Sequence, residues 1–195
     1  GGMELRAGSV SLDGVPLERL DPADLRRDTC LLPQHARLFH GSLRDNLSLG
    51  SPLADDASMR AALAMVGAGE LLAQLRDELD HPILEGGLGL SAGQRQAVLL
   101  ARLMLRRPTI ALLDEPTSSL DTATEERLVR TLAEWGRDRT LVFATHRPAL
   151  VALADRIIVV DDGRIVLDQP RESAISILSA PGGLKVSSGG AHLHA

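Results

Sequence analysis

Apolar residues recur along this chain with two different periods, and the changes of period mark out the elements. In "GSVSLDGVPL", Val10 and Leu12 alternate with Ser9 and Ser11 before Asp13-Gly14 breaks the run, the pattern of a strand and tight turn. "TCLLPQ" reads as a second short strand, stopped by Pro33. From Ser42 to Leu79 the spacing becomes helical; "DDASMRAALAMVGAG" has acids at its start and Gly67 and Gly69 at its end, as capping and the helix dipole favour. "HPILEGGLGL" predicts a glycine-rich loop. Ser91 then stands at the N-cap of a helix running to about Arg106, with Val98, Leu99, Leu103 and Leu105 apolar and Pro108 beyond its end.

"TIALLD" is a continuous apolar run, which predicts a strand buried on both faces. Asp121 can cap a helix through Trp135, with Gly136 at its exit. "TLVFATH" and "RIIVVDDGRIVLD" predict three more strands, the last two joined at Asp162-Gly163. A short helix from Glu172 to Leu178 follows Pro170, and "SAPGGLKVSSGGAHLHA" predicts a disordered tail. Strand, helix, strand in the second half implies an α/β fold, a parallel sheet covered by helices. Active groups in such sheets gather at the carboxyl ends of the strands. Asp114-Glu115 and Thr145-His146 both fall there.

Composition narrows the function classes. A chain of 195 residues, 44% hydrophobic and 24% charged, fits one soluble globular domain with a sizeable core. Aromatic residues make up 2%, tyrosine is absent and the net charge is −5, which argues against a base-stacking nucleic-acid surface and against attraction to an anionic membrane. Cys30 stands alone in the apolar "DTCLLP", where a buried inert thiol is expected, in keeping with a reducing compartment. No apolar run reaches the roughly 18 residues of a membrane span: Arg102 interrupts one run, Asp155 and Arg156 another. "GGMELRAGSV" lacks a signal-peptide pattern. Work at a membrane would need a spanning part from elsewhere.

Three segments carry candidate chemistry. Asp114 and Glu115 follow an apolar strand at once; one carboxylate can reach Mg²⁺ through its water shell while its neighbour orients or deprotonates a water. Taken alone, the pair reads first as an acidic cap on a turn before Pro116; the four apolar residues before it and a histidine at the same rim favour function. "LSAGQ", from Leu90 to Gln94, joins a glycine-rich turn to a helix start, whose unpaired amides and dipole favour an anion; a plain N-cap is its bland reading. His146 is the one histidine following an apolar strand, where it can meet a phosphate. His35, His40 and His81 show no paired spacing, and His192 and His194 fall in the tail, so no zinc site is expected.

In this order the segments resemble the nucleotide-binding domain of ATP-binding cassette (ABC) transporters. "LLPQ" is similar to the Q-loop, "LSAGQRQ" to the signature motif, "IALLDE" to Walker B, "SSLD" to the D-loop and "ATH" to the switch-histidine loop. "LFHGSLRDNLSLG" and "LEGG" resemble exporters, and "LDPADLRRDTCLLPQHARLFHGSLRDNL" the type I protein-secretion ATPases. The resemblance implies a P-loop NTPase-like parallel sheet core with an inserted helical subdomain. The helical subdomain would span about 42–107 and the core lobe about 9–41 and 108–170, within a domain of 1–178 followed by a tail at 179–195. It further implies ATP and Mg²⁺, hydrolysis coupled to export of a protein or peptide, and a place on the cytoplasmic face of the bacterial inner membrane. Implied partners are a second nucleotide-binding domain, head to tail, and a transmembrane domain, with no nucleic acid.

By position, Asp114 would hold the Mg²⁺ shell, Glu115 would be the general base, and His146 would bind the γ-phosphate. Gln34 would touch metal or attacking water and signal to the membrane domain. Ser91, Ala92, Gly93 and Gln94 form the signature that meets the partner's ATP; Asp121 would act across the same interface, and Glu85 would face the transmembrane helices.

Two departures stand out. Ala92 occupies a position where the family usually has glycine, which implies either a methyl group crowding the approach of backbone to phosphate or, with Ser91, Gly93 and Gln94 kept, a tolerated change. The chain also has no G-x-x-x-x-G-K-[ST] phosphate loop, its one lysine being Lys185 in the tail. The opening "GGMELRAGSVSLDG" resembles the family just downstream of that loop, so an N-terminally truncated exporter ATPase, lacking the phosphate-loop strand and helix and inactive alone, is the expectation. A non-hydrolysing module that lends its signature helix to a complete partner is the alternative. A DNA-repair type ATPase is disfavoured because no heptads separate Gln34 from the signature.

Overall fold

The computed structural model describes residues 7–180, so the tail predicted at 179–195 lies outside the described residues from 181 onward, while Ser179 ends a helix. Strands β1 (Ser11–Leu12) and β2 (Val15–Pro16) pair antiparallel around Asp13-Gly14, both with positive φ. Helix α1 (Pro22–Asp28) starts at Asp21, whose carboxylate accepts from the Ala23 amide at 2.6 Å, with Pro22 in the first turn. None of its residues is buried, which is why hydrophobic spacing gives no sign of it.

Strand β3 (Thr29–Leu32) leads to β4 (Gly41–Ser42), α2 (Leu43–Ser48), α3 (Asp56–Met65), α4 (Gly69–Gln74) and β5 (Pro82–Ile83). The helical reading from Ser42 to Leu79 thus resolves into separate helices, and the glycine-rich loop contains a strand residue pair that joins β4. Then come α5 (Ala92–Arg106), β6 (Ile110–Asp114), α6 (Thr122–Trp135), β7 (Thr140–Ala144), α7 (Pro148–Val151), β8 (Arg156–Asp161), β9 (Arg164–Pro170) and α8 (Arg171–Ser179). The central sheet is parallel with strand order β3-β6-β7, as the alternation of strands and helices requires, while β8 and β9 form a separate antiparallel hairpin.

The two faces of the central sheet differ. Leu32 and Leu113 turn inward and join Leu100, Leu103, Leu128 and Leu132 in the core, the last four supplied by α5 and α6. The opposite face carries the cross-strand row Leu31, Leu112 and Val142, exposed by 56%, 38% and 43%. The expectation that β6 is buried on both faces is therefore corrected: helices cover one face, and the other stands open among the described residues. Cys30 is half-buried where a buried thiol was expected, and burial still pushes its thiol up.

Polar bonds fasten the helices to the segment after β3. Asn46 is fully buried; its amide donates to the carbonyls of Phe39 (3.0 Å) and Ser42 (2.9 Å), and its Oδ1 accepts from the Phe39 amide (3.2 Å) and the Arg102 guanidinium. Arg102, reaching over from α5, donates to the Asn46 carbonyl at 2.6 Å and lies over the Phe39 ring at 4.9 Å. Burial pushes Arg102 down to about 10, so it keeps its charge at neutral pH. At Gly50 a β-carbon would come within 2.4 Å of the Arg102 carbonyl oxygen, so only glycine lets the chain pass α5 this closely.

The open row generates a solution behaviour. Replacing Leu112 by Thr is expected to lower binding of an apolar-surface dye and slow self-association of the isolated chain. Unchanged dye fluorescence in a variant that keeps its cooperative melt would contradict the open face.

Candidate active site

The ends of β6 and β7 meet at one rim. Asp114 pairs with Ala144 in the sheet register, and the Glu115 amide donates to the Ala144 carbonyl at 2.9 Å. Glu115 has φ of +46°, a left-handed conformation that costs a non-glycine residue about 1–3 kcal/mol and clusters at functional sites. Its side chain is 11% exposed, and Oε1 accepts from the His146 amide at 3.1 Å while lying 2.7 Å from His146 Nδ1. The Thr145 hydroxyl donates to Oε2 at 3.4 Å. The strained backbone and these bonds aim the carboxylate at His146, whose ring is 76% exposed. Asp114 sits half-buried at the same rim.

A charge argument fixes the histidine tautomer. An ionised Glu115 can only accept, so the 2.7 Å contact requires a proton on His146 Nδ1. Nε2 then faces away as an acceptor, and becomes a donor toward an anion only when the ring carries both protons.

The second group gathers at the start of α5. Ser91 Oγ accepts from the Gln94 amide at 3.1 Å, and Gln94 Oε1 accepts from the Ser91 amide at 2.8 Å, a reciprocal capping box. The amides of Ala92 and Gly93 belong to the unpaired first turn, and Ser91 and Ala92 are exposed. A β-carbon on Gly93 would sit 3.5 Å from the Ser119 carbonyl oxygen, an ordinary contact, so packing within the chain does not demand glycine there. Asp121 caps α6, accepting from the Thr124 amide at 3.0 Å and the Thr124 hydroxyl at 2.8 Å. Ser91, Gly93, Gln94 and Asp121 share one cleft of about 250 Å³, with Gln74 and Arg127 on its wall.

Two of the sequence-predicted residues stand apart from both groups. Gln34 is exposed in the turn beyond β3, off the same edge of the sheet as Asp114. Glu85 is exposed too, its Oε2 accepting from the His40 amide at 3.4 Å, while the Gly86 amide donates to the Leu38 carbonyl at 2.9 Å. The Glu85 loop is thereby tied to the segment that follows Gln34.

Sequence reading passed over two glutamines. Gln96 Nε2 donates to the Pro116 carbonyl at 3.0 Å, linking α5 to the turn after Glu115. Gln74 Oε1 accepts from Gln94 Nε2 at 3.1 Å and so orients the amide that completes the capping box. The signal available was Gln96 lying within "LSAGQRQ"; for Gln74 there was none. Among the described residues no cluster of three or more potential metal-ligating side chains occurs, and no helix is long and apolar enough to cross a membrane.

Comparison with known proteins agrees with this geometry. The family model described as ABC transporter matches residues 1–118. The mycobactin import ATP-binding/permease protein IrtB of Mycolicibacterium thermoresistibile is 42% identical over 177 residues, 91% of this chain and 30% of that protein. The cyclolysin secretion/processing ATP-binding protein CyaB of Bordetella pertussis is 37% identical over 177 residues, 91% of this chain and 24% of its own length. Among solved structures, a bacterial Atm1-family ABC exporter with ATP bound superposes with a TM-score of 0.82 at 30% identity, over 88% of this chain and 30% of that one. The chain spans under a third of the length of these relatives.

The Asp121 cap makes a pH prediction. Bonds from the Thr124 amide and hydroxyl hold its carboxyl below the usual carboxylate range. A depressed folded value stabilises above the ordinary value of about 3.9 and is lost as pH falls through the lower folded value. Asp121→Asn keeps a capping oxygen that does not titrate. Thermal melts from about pH 6 to about pH 3 are expected to show the native chain losing its advantage over the variant on the acid side only; a constant offset would contradict this.

Proposed function

Because the chain belongs to the ABC transporter family, we propose that these residues supply the hydrolytic rim and the signature helix of an exporter's ATPase domain. The observation that carries the reading is Glu115 and His146, 2.7 Å apart at the ends of adjacent parallel strands. On this reading Glu115 takes the proton of the attacking water, and His146 Nε2 donates to the γ-phosphate when its ring carries both protons. ATP is the substrate. Mg²⁺ suits Asp114 because this ion keeps most of its waters and takes substrate phosphates, so one hard carboxylate at the rim is a fitting share. When bound, it would neutralise charge building on the phosphates.

The cleft shared by Ser91, Gly93, Gln94 and Asp121 supports a role facing the nucleotide of a second ATPase domain. Ala92 leaves its own helix unstrained, so the effect of its methyl group falls on that encounter. Residues 42–107 act as the helical subdomain, with 9–41 and 108–170 as the core lobe. Gln34 and Glu85 lie on segments joined by the Gly86–Leu38 bond, which suits coupling to a transmembrane domain at the cytoplasmic membrane face. Export of a protein or peptide is favoured by the likeness to the cyclolysin secretion protein.

The phosphate-gripping loop is not among these 195 residues, so the chain by itself is expected to show no Mg-ATP hydrolysis that depends on Glu115. Joining a relative's phosphate-loop strand and helix ahead of Gly1 should produce turnover, and Glu115→Gln should then lower kcat by about a hundredfold or more. Glu115-dependent turnover by the chain alone would overturn the first expectation. Undiminished turnover in the joined Glu115→Gln variant would overturn the assignment of the base.

A further inference from the structure

The residue after the switch histidine reaches back to the turn that follows Glu115. The Arg147 guanidinium donates through Nη2 to the Ser118 carbonyl at 3.2 Å, and its Nη1 lies 3.7 Å from Glu125 Oε2. Glu125, in the first turn of α6, is 8% exposed, and its Oε1 accepts from the Thr117 hydroxyl at 2.6 Å. Thr117 is fully buried. A carboxylate held this far from water requires partners, and Thr117 and Arg147 are the ones present.

We propose that Thr117, Glu125 and Arg147 form a strut, buried at Thr117 and Glu125 and half-buried at Arg147, that sets the switch-histidine loop against the turn 116–121, making Arg147 a positioning residue for His146 and Glu115. Stabilising α6 does not explain the arrangement, because a first-turn glutamate is already favoured by the helix dipole without an arginine. Packing of a saturated ion pair does not explain it either: Arg147 Nε is buried and unpartnered, and the charge contact is loose at 3.7 Å. What the arginine does achieve is contact with two separate segments at once. Its own amide donates to the Thr145 hydroxyl at 3.0 Å, and its carbonyl accepts from the Leu150 and Val151 amides. Movement of the turn 116–121 therefore pulls on the backbone one residue from the imidazole. A shift of Asp121 or Ser119 against a partner's nucleotide would be felt at His146 through this route.

The inference deepens the proposed ATPase site and is tested without nucleotide. Thr117→Val is close to isosteric and removes only the hydroxyl; Thr117→Ser restores a donor. Hydrogen exchange read by mass spectrometry on the dilute chain is expected to show about tenfold faster exchange at Ser118 and Leu120 in Thr117→Val. The exchange half-time of the His146 ring C2 proton should change with it, and both should return in Thr117→Ser. Faster exchange confined to 116–121 with an unmoved His146 signal, or a uniform rise across the chain, would overturn the strut. Should Thr117→Val not fold, Arg147→Lys serves: it keeps the charge near Glu125 but cannot hold Ser118 as well, and an unmoved His146 signal there also overturns the proposal. Loss of the strut leaves Glu115-dependent turnover in the joined protein as a separate question, and the reverse holds too.

Discussion

The register between β6 and β7 is the constraint on which the site depends. Pairing Asp114 with Ala144 leaves Glu115 one step beyond the sheet, where its amide still finds the Ala144 carbonyl but its backbone must turn left-handed. That turn carries the side chain onto Thr145 and His146. A slip of one residue would invert every side chain along β6, sending Leu113 out of the core and the carboxylates away from the rim. The burial of Leu113 at 2% exposure is thus what locates the Glu115 carboxylate at the rim.

Around this rim, the other elements are fastened by polar bonds between segments far apart in sequence. Gln96 joins α5 to Pro116, Arg102 and Asn46 join α5 and α2 to Phe39, and the Gly86–Leu38 bond closes the loop that bears Glu85. The first of these bonds ends next to Glu115, and the last begins next to Glu85. The helices consequently act as spacers that hold several short loops in fixed relation, which suits chemistry done by positioning.

Most of the architecture was legible in the sequence because hydrophobic periods and caps dominate it: Ser91 and Asp121 start the predicted helices, and Gly136 ends the second. The parallel core followed from strands alternating with helices. Less legible were α1, whose residues are all on or near the surface, and the β4–β5 pairing, which joins residues forty positions apart through only two pairs. The open face of β6 was misjudged, since a run of apolar residues says nothing about which neighbours are at hand. At the site, Asp114, Glu115, His146 and the signature could be picked out by motif and placement. Gln74, Gln96, Thr117, Glu125 and Arg147 could not, because they act through tertiary contacts that leave no local pattern.

The capping box at Ser91 has a consequence for association. Because Gln94 and Ser91 satisfy each other, and Gln74 fixes the glutamine amide, the first turn of α5 is ordered before any ligand arrives. A partner docking on this turn would forfeit little conformational entropy, since the turn is already set. On the proposed reading, affinity there would be governed by how accurately two domains are brought together, and much less by any folding of the contacting loop.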